Sequence, residues 1–115
     1  MKIAFLDLNH ATCGVHTNTT PLGSGLIATY LRKHIDHPFD IRIFKNIDRL
    51  LEVKDWVPDV VGLAQYVWNT ELNLYGARHI KGLNPNCMVI SGGPNQDLDA
   101  EKRQSFLIEW KDIVD

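Results

Sequence analysis

The sequence predicts an α/β fold, a doubly wound parallel sheet of the Rossmann-like or flavodoxin-like kind with strand order 2-1-3-4-5. Three observations predict it. Apolar runs bounded by turn residues recur at residues 2–7, 60–66 and 87–90, with an alternating run at 39–44, as buried and half-buried strands require. Helical patterns separate these runs, and strands alternating with helices pair in parallel through right-handed crossovers. Finally, unusual polar, aromatic or glycine-rich residues follow the first, third and fourth runs, and that strand order gathers them at one edge of the sheet.

The elements follow in order. Lys2 to Asp7 reads as a first buried strand, apolar until the carboxylate at its end. Residues 8–22 are rich in Asn, His, Thr, Gly and Pro, far longer than a usual βα loop. Leu26, Ile27, Tyr30 and Leu31 then predict an amphipathic helix over 23–35, with Pro21 just before it. His37-Pro38 breaks that helix ahead of the second strand. Asp48 is the expected cap of a short helix over 49–55, with Leu50, Leu51 and Val53 inward. Pro58 precedes the third strand, and Thr70 is the expected cap of a helix over 71–83, whose Leu72, Leu74, Tyr75, Ala77 and Ile80 form an apolar side. Asn84-Pro85 ends it. The fourth strand closes on Ser91-Gly92-Gly93-Pro94, and Asp99 begins a last helix to about Trp110 in which Phe106, Leu107 and Trp110 make a half-turn pattern. Residues 112–115 read as the opening of a fifth strand that is cut short.

At 115 residues the chain is one domain, 1–115, with an ordinary 44% hydrophobic and 23% charged content. A formal charge of −2 leaves no basic footprint for nucleic acid, and no Lys/Arg run marks a membrane surface. The first apolar run is too short for a signal peptide or a membrane span. Cys13 and Cys87 make no disulfide framework, so the cytoplasm is the expected compartment.

The candidate site lies at the strand ends. Gln65, Tyr66, Trp68 and Asn69 put flat side chains with hydrogen-bonding groups where the third strand hands over to a helix, as a planar, partly polar ligand needs; the same residues could simply cover the core. Gly92-Gly93 removes two side chains where backbone bends or a ligand approaches, and Gly-Gly is also an ordinary turn. His10, Cys13 and His16 stand at even spacing, but structural zinc needs four ligands and no second cluster appears. Residues 17–20, Thr-Asn-Thr-Thr, offer hydroxyls before a helix without the glycines and lysine of a P-loop. His34, His37 and His79 read as helix-end or helix-surface residues. No nucleophile with base and orienter assembles, and Asp7 stands as a lone acid.

Three segments in this order, Thr20-Pro-Leu-Gly-Ser-Gly-Leu-Ile-Ala-Thr-Tyr-Leu31, Asp59-Val-Val-Gly-Leu-Ala-Gln-Tyr-Val-Trp-Asn69 and Asn84-Pro85 with Val89-Ile-Ser-Gly-Gly-Pro94, give the chain a family likeness. Together they resemble the N-terminal cobalamin (B12)-binding domain of B12-dependent radical S-adenosylmethionine enzymes, over most of the chain. The resemblance implies a Rossmann-like sheet that holds the corrinoid over its carboxyl edge. It implies that His10, Thr20, Pro21, Leu22 and Gly23, with Gln65, Tyr66, Trp68 and Asn69, face the corrin ring, and that Ala64 stands by the nucleotide tail. Ser91, Gly92, Gly93 and Pro94 would line the groove for the nucleotide tail.

It further implies a C-terminal radical S-adenosylmethionine domain as partner, carrying a 4Fe-4S cluster and S-adenosylmethionine, with methyl or other radical transfer as the chemistry. The chain is then expected to be the N-terminal part of a longer protein and non-catalytic by itself. Departures are specific. The Asp-x-His-x-x-Gly motif of cobalamin mutases is not matched by Asp7-x-x-His10-x-x-x-Gly14, so cobalamin without histidine ligation, base-off, is expected. Ala64 stands where the family often has serine, and no Cys-x-x-x-Cys-x-x-Cys triad occurs. The alternatives are a flavodoxin-like flavin or nucleotide binder and a ligand-free regulatory module with the same fold.

Overall fold

The computed structural model describes residues 1–10, 20–52 and 55–115. Its elements run β1 (Lys2–Leu6), α1 (Leu22–His34), β2 (Asp40–Phe44), α2 (Ile47–Glu52), β3 (Val60–Ala64), α3 (Thr70–Leu83), β4 (Met88–Gly92) and α4 (Ala100–Glu109). The strands form one all-parallel sheet in the order β2-β1-β3-β4. The expected order is therefore found through the fourth strand.

Register assigns the two faces of the sheet. Ile41, Ile3, Val60 and Met88 stand in one row across it, and Ile43, Phe5, Gly62 and Ile90 in the next, all on one face. On the opposite face Ala4, Leu6, Phe44, Val61, Leu63 and Val89 enter the main core. Leu50 of α2 and Leu74, Ala77 and Ile80 of α3 close that core, each buried, with Ile113 and Val114 of the chain end. Each such Leu or Ile side chain contributes about 1.5–3 kcal/mol by leaving water. Among the described residues the first face has only α1 above it, through Ala28 and Leu31. Met88 and Ile90 are half exposed there.

One contact sets the floor of that face. The Phe5 ring lies across Gly62 so closely that a Cβ on Gly62 would stand 2.7 Å from Phe5 Cδ1. Only glycine at residue 62 lets the ring lie flat on the neighbouring strand.

Several local expectations are corrected. α1 turns Ser24 and Ala28 to the sheet, whereas Leu26, Ile27 and Tyr30 of the expected inward stripe are more than half exposed. Small residues let the helix approach at those two points, and the larger ones stay out. Asn46 rather than Asp48 starts α2, accepting the Asp48 N–H through Oδ1 at 2.7 Å. Val53 lies outside the described residues. Thr70 is the first residue of α3 and its hydroxyl donates back to the Tyr66 carbonyl at 2.9 Å; Asn69 holds the cap position. Tyr75, expected on the apolar side of its helix, is exposed, and Leu107 of α4 is exposed as well.

The chain end makes no fifth strand among the described residues. Ile113 and Val114 N–H both donate to the Trp110 carbonyl, which winds the segment into a turn. Asp115 nonetheless lies along the free edge of β4. Its N–H donates to the Val89 carbonyl at 2.9 Å, and its carboxylate accepts the Val89 N–H at 2.7 Å and the Lys81 ammonium at 2.7 Å. The Lys81 and Val89 bonds hold the Asp115 carboxyl below its ordinary range.

Candidate functional site

Between α1 and the sparsely covered face of the sheet lies an apolar groove of about 1000 Å³, at the upper end for small-molecule sites. Its floor is built from alternate residues of β1 and β3, namely Ile3, Phe5, Val60 and Gly62. Ser24, Ile27 and Leu31 of α1 form one wall, and Ile90 lies on the β4 side. The groove runs from Met1 and His37 at the amino edge of the sheet to Tyr66 and Pro94 at the carboxyl edge.

Six of the residues expected at the site line this groove: Gly23, Ala64, Tyr66, Gly92, Gly93 and Pro94. The two adjacent glycines do different work. A Cβ on Gly92 would meet nothing within 4 Å, so its missing side chain leaves open space. Gly93 has φ of 115°, and a Cβ there would stand 2.6 Å from the Gln65 carbonyl oxygen. Backbone conformation and close approach thus require Gly93 for the turn itself. That turn is tied to β3 by Gln65 N–H to the Gly92 carbonyl at 2.7 Å and by Asn95 N–H to the Gln65 carbonyl at 3.1 Å.

Beside the groove mouth, Tyr66 and Trp68 stack face to face, centroids 4.7 Å apart and planes 11° from parallel. Trp68 is 54% exposed, so the pair presents an aromatic surface to solvent at the strand ends. Leu22, Val67 and Leu98, which follow β1, β3 and β4, are also strongly exposed. Topology places all of them at the carboxyl edge.

Gln65 and Asn69 are brought to the same edge but fully buried. Asn69 Oδ1 accepts the Tyr66 N–H at 2.8 Å and its Nδ2 donates to the Ala64 carbonyl at 3.1 Å, so both ends of its amide hold the turn. Asn73 of α3 donates to the Ala64 carbonyl at 2.9 Å and to Gln65 Oε1 at 3.4 Å, and accepts the Leu8 N–H at 3.1 Å. Gln65 Nε2 is the one buried side-chain polar atom without a partner among the described residues. Ser91 accepts a bond from Gln96 Nε2 at 2.7 Å, and the Asn95 side chain donates to the Thr70 hydroxyl at 2.8 Å.

Thr20, Pro21 and Leu22 enter α1 at the same edge without lining the groove, and His10 is exposed. Cys13, His16 and residues 17–19 lie outside the described residues. Among the described residues no three metal-ligating side chains converge. Asp7 is buried with Lys45 Nζ at 3.9 Å. Cys87 is buried in the core, and that burial pushes its thiol up to about 11, which keeps it protonated and inert at neutral pH. His37, read as structural, stands at the amino end of the groove.

Sequence reasoning missed the groove floor and Ser24. The signal for the floor was the odd-numbered residues of β1 and the even-numbered ones of β3, which share a face under a single helix. No helix among the described residues is long and apolar enough to cross a membrane.

Comparison with known proteins gives two similar chains. The chain is 33% identical over 100 residues to a 2-(S-pantetheinyl)-carbapenam-3-carboxylate methyltransferase of Streptantibioticus cattleyicolor. It is equally similar, 33% over 100 residues, to the cobalamin-dependent radical SAM methyltransferase TokK of Streptomyces tokunonensis. Each match covers 82% of this chain but 14% of the relative. No protein-family model matches the chain.

Proposed function

We propose that this chain is a cobalamin-binding domain that holds the corrinoid at the carboxyl edge of its sheet. The observation that carries the reading is the groove beneath α1, which opens at that edge beside the Tyr66–Trp68 pair. Similarity to a cobalamin-dependent radical SAM methyltransferase supports it.

The residues present fit such a group. Gly23 and Gly92 both line the groove, and a Cβ on either would meet no atom of the described residues within 4 Å. Side chains are therefore missing where packing among the described residues does not require it. Tyr66 and Trp68 offer a flat apolar surface to a macrocycle, while Ile3, Phe5, Ile27 and Ile90 would exclude water from a nucleotide tail. Bound cobalamin supplies a cobalt centre for methyl-group chemistry. The chain's own contribution is binding, orientation and exclusion of water; among the described residues the groove lining holds no paired nucleophile and base.

In the parent protein, a radical S-adenosylmethionine domain with its 4Fe-4S cluster would face the same edge and carry out methyl or related radical transfer. The exposed Leu22, Val67 and Leu98 suit such a partner. A cytoplasmic location agrees with the free, inert Cys87 thiol.

Titration with hydroxocobalamin, followed by the visible spectrum, tests the reading. Saturable spectral change at tens of micromolar is the expected result, and an unchanged spectrum counts against it. Flavin mononucleotide is the competing ligand because the same aromatic pair could flank an isoalloxazine ring; tighter binding of flavin than cobalamin would favour that reading. Binding of neither would leave the ligand-free regulatory module.

A further inference from the structure

α1 points its amino terminus at the groove's carboxyl-edge mouth, and none of the described residues caps that terminus with a side chain. The N–H groups of a helix's first turn have no acceptor within the helix. Pro21 at the cap position brings neither an N–H nor a side-chain acceptor, and the first turn holds no acidic residue. Leu22 N–H is taken by the Thr20 carbonyl at 2.7 Å and Gly25 N–H by the Pro21 carbonyl at 2.8 Å. The N–H groups of Gly23 and Ser24 meet no acceptor among the described residues.

A second, independent observation comes from the Ser24 side chain. Ser24 is only 4% exposed, and it lines the groove. Other helical hydroxyls in this protein return to their own backbone: Thr29 donates to the Gly25 carbonyl at 2.9 Å and Ser105 to the Glu101 carbonyl at 3.0 Å. Ser24 makes no such bond, and none of the described residues partners its hydroxyl. Its oxygen is not sealed in the core but opens onto the groove, where a ligand oxygen can accept its hydrogen bond. Next to it, no atom of the described residues comes within 4 Å of the position of a Cβ on Gly23.

We infer that the amino terminus of α1 binds a phosphate group of the ligand, with the N–H groups of Gly23 and Ser24 and the Ser24 hydroxyl as donors. About half a unit of positive charge at a helix amino terminus suits a singly charged phosphodiester. The inference rests on the cobalamin reading for the identity of the ligand, whose tail carries such a diester. Inorganic phosphate or a flavin nucleotide's monoester presents the same oxygens, and the experiment separates these sources.

The test has two arms. Nitrogen-15-labelled protein titrated with inorganic phosphate should show saturable shifts of the Gly23 and Ser24 amides, reduced in Ser24→Ala. Cobinamide phosphate should bind about tenfold or more tightly than cobinamide, as charge-assisted bonds require, and Ser24→Ala should erase most of that preference while leaving cobinamide affinity unaltered. Gly23→Ala, which fills space the ligand would use, should weaken cobinamide phosphate more than cobinamide, with a melting temperature equal to or above wild type because alanine favours the helix. Corrinoids binding with no preference for the phosphate, or a preference untouched by Ser24→Ala, would overturn the phosphate site and leave the cobalamin reading standing. Phosphate shifts at the two amides without any corrinoid binding would have the reverse meaning. Absence of both effects overturns both.

Discussion

Asn73 accepts the Leu8 N–H at 3.1 Å across sixty-five residues of sequence, and the same amide donates to the Ala64 carbonyl at 2.9 Å. One α3 side chain thereby joins the carboxyl ends of β1 and β3, from which the groove mouth is built. Replacing it with leucine leaves the Leu8 N–H buried and unpaired, while the Ala64 carbonyl keeps its bond from Asn69 Nδ2. Asn73→Leu should destabilise the fold by about 1–3 kcal/mol for the group so orphaned, read as a lower midpoint in urea unfolding.

The two glycines after β4 should separate cleanly. Gly93→Ala meets the positive φ of 115° and a 2.6 Å approach to the Gln65 carbonyl oxygen, and should cost about 1–3 kcal/mol. Gly92→Ala should stay within about 0.5 kcal/mol of wild type, since its Cβ meets nothing. Gly92→Val should melt like wild type and yet weaken cobalamin binding. Thermal unfolding and the hydroxocobalamin titration read the two effects apart.

Trp68 is exposed and, among the described rings, stacks only on Tyr66. Trp68→Ala should leave the unfolding midpoint nearly unchanged and weaken cobalamin about tenfold, in line with about 1–1.5 kcal/mol for an aromatic contact beyond its area. Equal affinity in the variant would remove the aromatic pair from the site.

Acid should loosen the chain end in a defined direction. The Asp115 carboxyl is held low by Lys81 and the Val89 N–H. A depressed folded value means that its stabilisation is complete above the unfolded value of about 3.9 and is lost as pH falls through the folded one. Asp115→Asn should therefore flatten the acid limb of stability against pH below about 4, measured by urea midpoints across that range. The effect should be small, because the side chain is 47% exposed.

How much of this was legible in the sequence depends on which physical signal carried it. β1, β3 and β4 announce themselves through apolar runs, and α/β alternation fixes their pairing, so the order β2-β1-β3-β4 follows. The helix face of α1 did not follow from hydrophobicity. Ser24 and Ala28 are the residues that touch the sheet, and their smallness, not their apolarity, governs the approach. Caps were misassigned by one or two residues because Asn46, Asp48, Asn69 and Thr70 all have capping chemistry and only the backbone decides among them. At the site, Gly92-Gly93 was visible as a pair but its division of labour was not, since Gly93's constraint comes from Gln65, a residue twenty-eight positions away.

The Phe5 ring resting on Gly62 makes the groove's depth depend on a single missing carbon. A methyl group at residue 62 would lift the ring off β3 and into the cavity, thinning the space above it while the main core on the other face keeps its packing. This position works as a spacer: it tunes what thickness of ligand the domain admits without touching any residue that would recognise the ligand's polar groups.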